Sequence, residues 1–332
     1  MRFDYYCIGM VSFCSSCRLF LLVGLACVVA ADSLNLRPII GVVSEPISPE
    51  AALANGLDAN RSSYIAASYV KYLEMAGARV VPLKYNAPTE ELDGLLQGLN
   101  GILSPGGGAS LAPDSPFYKA ASHMFQFAIS ENDKGNYFPV WGTCLGFQFL
   151  SLMGAKGNHT VLTSGFDSED LPLPLDFTGA AKASKLFSTA PSFVYDSLQT
   201  KPITMNAHHS GVTPQAAKNN AQYDDFYSVL STNKGRQGRE FVSTIESKKY
   251  PVYGTQYHPE KIPFEWVVEK EPIPHSFDAV VASQYFANFF VSEARKSSKT
   301  LQNENDYLIY NYNASFTGKA GGYFTESYFF TV

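Results

Sequence analysis

The chain has 332 residues, 45% of them hydrophobic and 17% charged, which is enough apolar material for a full core and excludes a fibrous or disordered protein. A formal net charge of -5, with no local run of Lys or Arg to offset it, argues against nucleic-acid binding. Tyr (20) and Phe (24) are plentiful, which suits strand-rich packing without specifying it.

Arg18 precedes an apolar run over residues 19–31 that is short for a bilayer span and ends in Val29-Ala30-Ala31, a small-residue cleavage pattern. Residues 1–31 therefore read as a signal peptide, with Met10 as an alternative start and an uncleaved anchor as the alternative form. Cys7, Cys14, Cys17 and Cys27 fall inside that segment, which leaves Cys144 as the single cysteine of a mature chain over residues 32–332. A lone thiol in a secreted protein has no intramolecular partner, so it is either inert or kept for reactivity. Sequons at Asn60, Asn158 and Asn313 agree with passage through the secretory pathway.

The run Arg37-Pro-Ile-Ile-Gly-Val-Val-Ser44 predicts a buried parallel strand. Ile65, Tyr69, Tyr72, Leu73 and Ala76 recur at helical spacing, and Gly77 ends that helix. A strand over 79–83, a helix over 89–97, a strand over 101–104 and a helix over 115–131 follow, and a strand over 137–141 leads to Cys144. This alternation predicts an α/β fold: a mostly parallel central sheet with helices on both faces and additional antiparallel strands. Ligands of such sheets bind beyond the carboxyl ends of the strands, where Pro105-Gly106-Gly107-Gly108 and Cys144 both fall. Residues 154–202 yield only a strand or two. Residues 226–232, 241–246 and 252–256 alternate like antiparallel strands. A helix over 278–294 follows, and residues 296–332 read as a tail packed on the body.

Gly142-Thr-Cys144-Leu-Gly146 after an apolar strand has the form of a nucleophile elbow, in which small residues permit a sharp turn into a helix. That turn would leave Cys144 exposed at the helix N-terminus, whose partial positive charge favours the thiolate, with the Leu145 N–H facing an oxyanion. The bland alternative is a buried cysteine in a glycine-rich turn. A thiol nucleophile needs a base, and that base needs an orienting partner. Cys144, His258 and Glu260 supply the three kinds in that order. A backbone N–H of Gly106, Gly107 or Gly108 is the second candidate oxyanion donor. No His, Cys or Asp cluster has ligand spacing, so neither a metal nor a cofactor is expected.

The words Trp141-Gly-Thr-Cys144-Leu-Gly-Phe-Gln148 and Gln256-Tyr-His258-Pro-Glu260 resemble the class I glutamine amidotransferase-like superfamily. Phe138-Pro-Val-Trp141, Tyr250-Pro-Val-Tyr-Gly254, His258-Pro-Glu-Lys261 and Phe264-Glu-Trp266 narrow the resemblance to gamma-glutamyl hydrolase, peptidase family C26, over residues 38–295. The resemblance implies a secreted, lysosomal or, in plants, vacuolar enzyme that trims folyl-poly-γ-glutamate through a thioester. It implies Cys144 as nucleophile, His258 as proton carrier, Glu260 as third member and a homodimer. It also places His208, in Asn206-Ala-His208-His209, near the active site as a substrate-binding residue, although two adjacent histidines otherwise read as a surface loop. Glu265-Trp266 would shape a pocket rim or simply pack. A glutaminase domain feeding a synthetase and an inactive binding glycoprotein on the same fold are the competing functions.

Overall fold

Strand β1 (Ile39–Val43) lies inside an eight-stranded sheet. The computed structural model describes residues 34–266, 272–320 and 323–332, so the expected signal peptide and its four cysteines lie outside the described residues. The remaining strands are β2 (Glu45–Pro46), β3 (Ser62–Ala66), β4 (Arg79–Leu83), β5 (Ile102–Ser104), β6 (Val140–Thr143), β7 (Leu162–Leu173), β8 (Asp176–Phe177), β9 (Thr204–Val212), β10 (Tyr227–Lys234), β11 (Glu240–Ser247), β12 (Val252–Thr255) and β13 (Ser327–Thr331). The large sheet runs β4-β1-β5-β6-β12-β11-β10-β8. Its first five strands are mutually parallel and its last three antiparallel. The α/β expectation therefore holds, including the antiparallel extension.

The period of two along each strand sorts side chains onto two covered faces. Ile39 and Val43, Ile102, Val140 and Val252 join one apolar cluster, while Ile40 and Val42, Leu103, Trp141 and Tyr253 join the other. Helices Thr89–Leu96, Pro116–Asp133 and Leu145–Gly154 cover the first face. Ala67–Glu74, Ser192–Thr200 and Phe277–Ala294 cover the second. Both faces being dry, the strand ends are the places where polar chemistry meets solvent.

Four expectations need correction. Ile65 belongs to β3, not to a helix, because β13 pairs with it from the far end of the chain; the helix starts only at Ala67, whose N–H is taken by the Glu326 carbonyl at 2.9 Å. The strand feeding Cys144 begins at Val140, three residues late, since Pro139 has no N–H to give a ladder. The segment over 252–256 is antiparallel to β11 on one side only; on the other it runs parallel to β6. Asn206 to His209 lie in a strand, β9, which pairs antiparallel with the twelve-residue β7. β13 pairs antiparallel with β3, and the Glu265 carboxylate accepts the Thr325 N–H at 2.6 Å.

Candidate active site

Between the last residue of β6 and the first of helix Leu145–Gly154 there is one residue, Cys144. Its backbone sits at φ 51°, ψ -103°, a sparsely populated region that costs a non-glycine residue about 1–3 kcal/mol. Three bonds hold it there: Cys144 N–H to Thr255 O at 2.8 Å, Gln148 N–H to Cys144 O at 2.9 Å, and Gly146 N–H to Pro105 O at 3.0 Å. The flanking glycines are required by contact. A Cβ on Gly142 would lie 2.6 Å from the Gly146 backbone, and one on Gly146 would lie 2.1 Å from the Ser104 carbonyl oxygen. Gly146→Ala is accordingly expected to destabilise the fold by about 2–4 kcal/mol through backbone displacement. A urea midpoint equal to that of the wild type would contradict this.

Parallel pairing sets the second half of the site. Gly142 is in register with Gly254 and Thr143 with Thr255, so Cys144 and the segment after β12 leave the sheet side by side. His258 then donates its backbone N–H to Met205 O of β9 at 2.8 Å, which anchors its position. The ring's Nδ1 is 2.7 Å from Glu260 Oε1, and both side chains are buried. Burial alone would push the imidazole down, but the Glu260 carboxylate and the adjacent Cys144 sulfur, by charge and hydrogen bonding, override it and raise the ring to about 10. A raised histidine stabilises the fold fully below its ordinary value of 6.5, and that contribution is lost as pH rises through about 10. Across the neutral range the ring is therefore an imidazolium beside the Cys144 sulfur.

The sulfur is recessed rather than exposed: Cys144 is only 7% accessible, and its Sγ faces the Ala207 carbonyl at 3.8 Å. The expectation of an exposed thiol fails because β9 crosses in front of it. It is not sealed, since it lines a cavity of ≈ 300 Å³ with Gly107, Leu145, Gln148, His208 and His209. A larger hollow of ≈ 750 Å³, walled by Phe125, Met153, Phe226 and Tyr250, contains none of these groups.

Gly107 and Gly108 of the Gly106–Gly108 turn line the same cavity. A Cβ on Gly106 would fall 2.6 Å from the His258 ring and 3.1 Å from Cys144 Cβ, so only glycine permits this approach. Tyr69 Oη accepts the Gly106 N–H at 2.7 Å and stands 3.4 Å from His258 Nδ1. Its phenol is held well above the ordinary range by burial first and by the Glu260 and Cys144 charges next, so it stays neutral. Leu145 N–H lies at the first position of its helix, where no intrahelical acceptor exists.

His208 is buried in β9 with its ring edge-on to Phe241 at 4.6 Å. Burial, and then repulsion from His258, lowers it to about 3, so it is neutral at any physiological pH. Its Nδ1 is 3.1 Å from Ser210 O and its Nε2 3.3 Å from Asn206 Oδ1. Both partners are acceptors, because the Asn206 amide nitrogen donates to Leu171 O and Thr204 O. A neutral ring has one N–H and can satisfy only one of them. His209 is exposed, 3.3 Å from Glu169.

Residues elsewhere separate from the chemistry. His123 pairs with Asp93, His159 stacks near Tyr118, and His275 stacks on Trp266 at 3.9 Å. Glu265 and Trp266 belong to the attachment of the tail rather than to the rim of this cavity. Asn60, Asn158 and Asn313 are all exposed. Among the described residues, no group of three or more His, Cys, Asp or Glu is arranged to hold a metal ion, and no helix is long and apolar enough to cross a membrane.

Sequence reasoning missed Tyr69 and Glu45. Tyr69 shares an apolar helix stripe with Tyr72 and Leu73, so its pattern is that of a core residue. Glu45, whose carboxylate accepts the Ala109 N–H at 3.0 Å, gives no motif at all.

The peptidase C26 family model matches residues 38–260, a span that holds Cys144, His258 and Glu260. The chain belongs to the peptidase C26 family. Within this hydrolase family it is 42% identical over 298 residues to gamma-glutamyl hydrolase of Mus musculus, covering 89% of this chain and 90% of the relative. Gamma-glutamyl hydrolase B of Dictyostelium discoideum is 40% identical over 291 residues, covering 87% and 82%. Gamma-glutamyl hydrolase of Homo sapiens is 40% identical over 298 residues, covering 89% and 90%. The C26 match ends at Glu260, while the similarity to these relatives covers most of the chain.

Proposed function

We propose that this chain is a cysteine-type γ-glutamyl hydrolase that shortens the poly-γ-glutamate tails of folates. The observation that supports it most is the Cys144–His258–Glu260 array just beyond the carboxyl ends of two adjacent parallel strands, with Cys144 lining a cavity of ≈ 300 Å³. The Cys144 sulfur, whose proton the His258 ring already carries, attacks the γ-carbonyl carbon, and the carbonyl π electrons move onto the oxygen. The tetrahedral oxyanion accepts hydrogen bonds from Leu145 N–H and from one amide of the Gly106–Gly108 turn. His258, as imidazolium, passes its proton to the departing glutamyl nitrogen as the C–N bond breaks, leaving a thioester on Cys144. The ring then takes a proton from water, whose oxygen attacks the thioester carbon; the C–S bond breaks and the sulfur returns. Glu260 holds the ring's Nδ1 and stabilises its charged form. His208, on the cavity wall, serves substrate binding as a neutral ring.

Incubation with pteroyl-penta-γ-glutamate, followed by mass analysis of the earliest products, tests this reading. Release of glutamate or of γ-linked glutamyl peptides is the expected result, and the first fragment formed distinguishes terminal from internal cleavage. An intact pentaglutamate after prolonged incubation would overturn the reading. The same reading takes the chain through the secretory pathway to the cell exterior, lysosome or vacuole. The exposed sequon asparagines are compatible with this, and a glycosidase-sensitive mass shift on protein from its own cells would test it.

A further inference from the structure

Glu45 is a buried carboxyl group that the mechanism above does not use. It stands in β2, opposite Tyr64 of β3, and is 1% accessible. Its Oε2 accepts the Ala109 N–H at 3.0 Å, and the Gly108 N–H adds a second bond to the same carboxyl group. A Cβ built on Gly107 would fall 2.2 Å from that oxygen, so the carboxyl group lies directly against the Gly107 backbone, on the side where a side chain would project. Its other oxygen, Oε1, is buried with no hydrogen-bond partner among the described residues. This amounts to a polar group placed under a glycine turn, with its bonds spent on the backbone of that turn.

The donors of the turn can be followed one by one. Gly106 N–H goes to Tyr69 Oη, and Gly108 and Ala109 N–H go to Glu45. Gly107 N–H, between the two clamps, has no protein acceptor among the described residues, and Gly107 lines the cavity together with Cys144 and Leu145. Three of four consecutive amides are thus removed from competition, and the one left over belongs to a residue that lines the cavity together with the thiol. An oxyanion donor works only if its direction is fixed before the charge develops. We propose that Glu45 is a positioning residue which, acting from behind the turn, fixes the Gly107 N–H as the second oxyanion donor beside Leu145 N–H. The proposal deepens the hydrolase reading and rests on it for the oxyanion step.

The protonation state of Glu45 follows from its surroundings. Burial raises the carboxyl group to about 8, against the opposing effect of the Ala109 and Gly108 amides. The titratable groups that face it are Tyr64 of β3 and Tyr85 after β4, both pushed upward by burial first and by Glu45 next, and so both neutral. No cation is paired with it among the described residues. Below pH 8 the turn is therefore backed by a neutral acid. Above it a negative charge appears behind the place where an oxyanion must form.

Two reagents separate the thiol from the turn. Acylation of Cys144 by p-nitrophenyl acetate passes through an oxyanion, whereas alkylation by iodoacetamide does not. In Glu45→Ala the acylation rate is expected to fall at least tenfold while alkylation stays within about twofold of the wild type. Glu45→Gln, which keeps a neutral acceptor of the same shape, should restore acylation to within about threefold. In the wild type the ratio of acylation to alkylation should drop as pH rises through about 8, and in Glu45→Gln it should stay level. Equal acylation in Glu45→Ala and wild type would overturn the proposal. So would a wild-type ratio that is flat with pH or a Glu45→Gln ratio that still drops, and this comparison decides the matter if Glu45→Ala fails to fold. A wild type that acylates as described yet leaves γ-glutamyl substrate uncut would sink the substrate reading alone.

Discussion

Cys144→Ala is expected to lower kcat/KM on a γ-glutamyl peptide by about 10⁴-fold or more, roughly 5.5 kcal/mol of transition-state stabilisation. The size of the effect follows from the role: without sulfur there is no covalent intermediate, and only the oxyanion donors and substrate binding remain to act on water. The fold should survive, because alanine keeps the Cβ and every backbone bond that holds the elbow. Steady-state kinetics on a variant with an unchanged urea midpoint is the appropriate measurement. A loss below about tenfold, or roughly 1.4 kcal/mol, would exclude covalent catalysis by this residue.

His258→Ala should cost a comparable factor, about 10³ to 10⁴, and the double variant with Cys144→Ala should be no worse than the poorer single one. Groups that act as one unit lose their effect together, so the two penalties are not expected to add. Additive penalties would mean that the ring and the sulfur work separately. Glu260→Gln extends the test to the charge balance. The carboxylate 2.7 Å from Nδ1 is a principal reason why the ring reaches about 10 against the opposing effect of burial. A neutral amide at that position leaves burial less opposed, so the imidazolium should lose its proton at a lower pH. The ¹⁵N shifts of the His258 ring, followed against pH in both proteins, report this directly. Coincident titration curves would remove Glu260 from the account.

The elbow was legible because its requirements are local. Gly142 and Gly146 are fixed by contacts with Gly146 itself and with Ser104, and the residue types needed there are written two positions either side of the thiol. His258 and Glu260 were legible as a pair, two residues apart after an apolar run, and parallel pairing of β6 with β12 brought them to Cys144. Glu45 and Tyr69 were not legible, since each reaches the site only through tertiary placement. Glu45 depends on β2 pairing with β3, and Tyr69 on which way the helix Ala67–Glu74 faces. The recess of the thiol was missed for a related reason. Asn206-Ala-His208-His209 is too polar to read as a strand, and its partner β7 contains Gly165, Pro172 and Asp170 at φ 50°, which break the alternation that marks strands. Only the pairing of the two shows that β9 walls the cavity.

The central claim is a thioester between Cys144 and the γ-carbonyl of a glutamyl residue, and acid quenching during turnover of pteroyl-penta-γ-glutamate with hydroxylamine present tests it most directly. The account predicts an acyl adduct on the peptide containing Cys144 and a γ-glutamyl hydroxamate among the products, both missing in Cys144→Ala. Continued turnover with neither adduct nor hydroxamate would contradict it, because water would then be attacking the γ-carbonyl without passing through the sulfur.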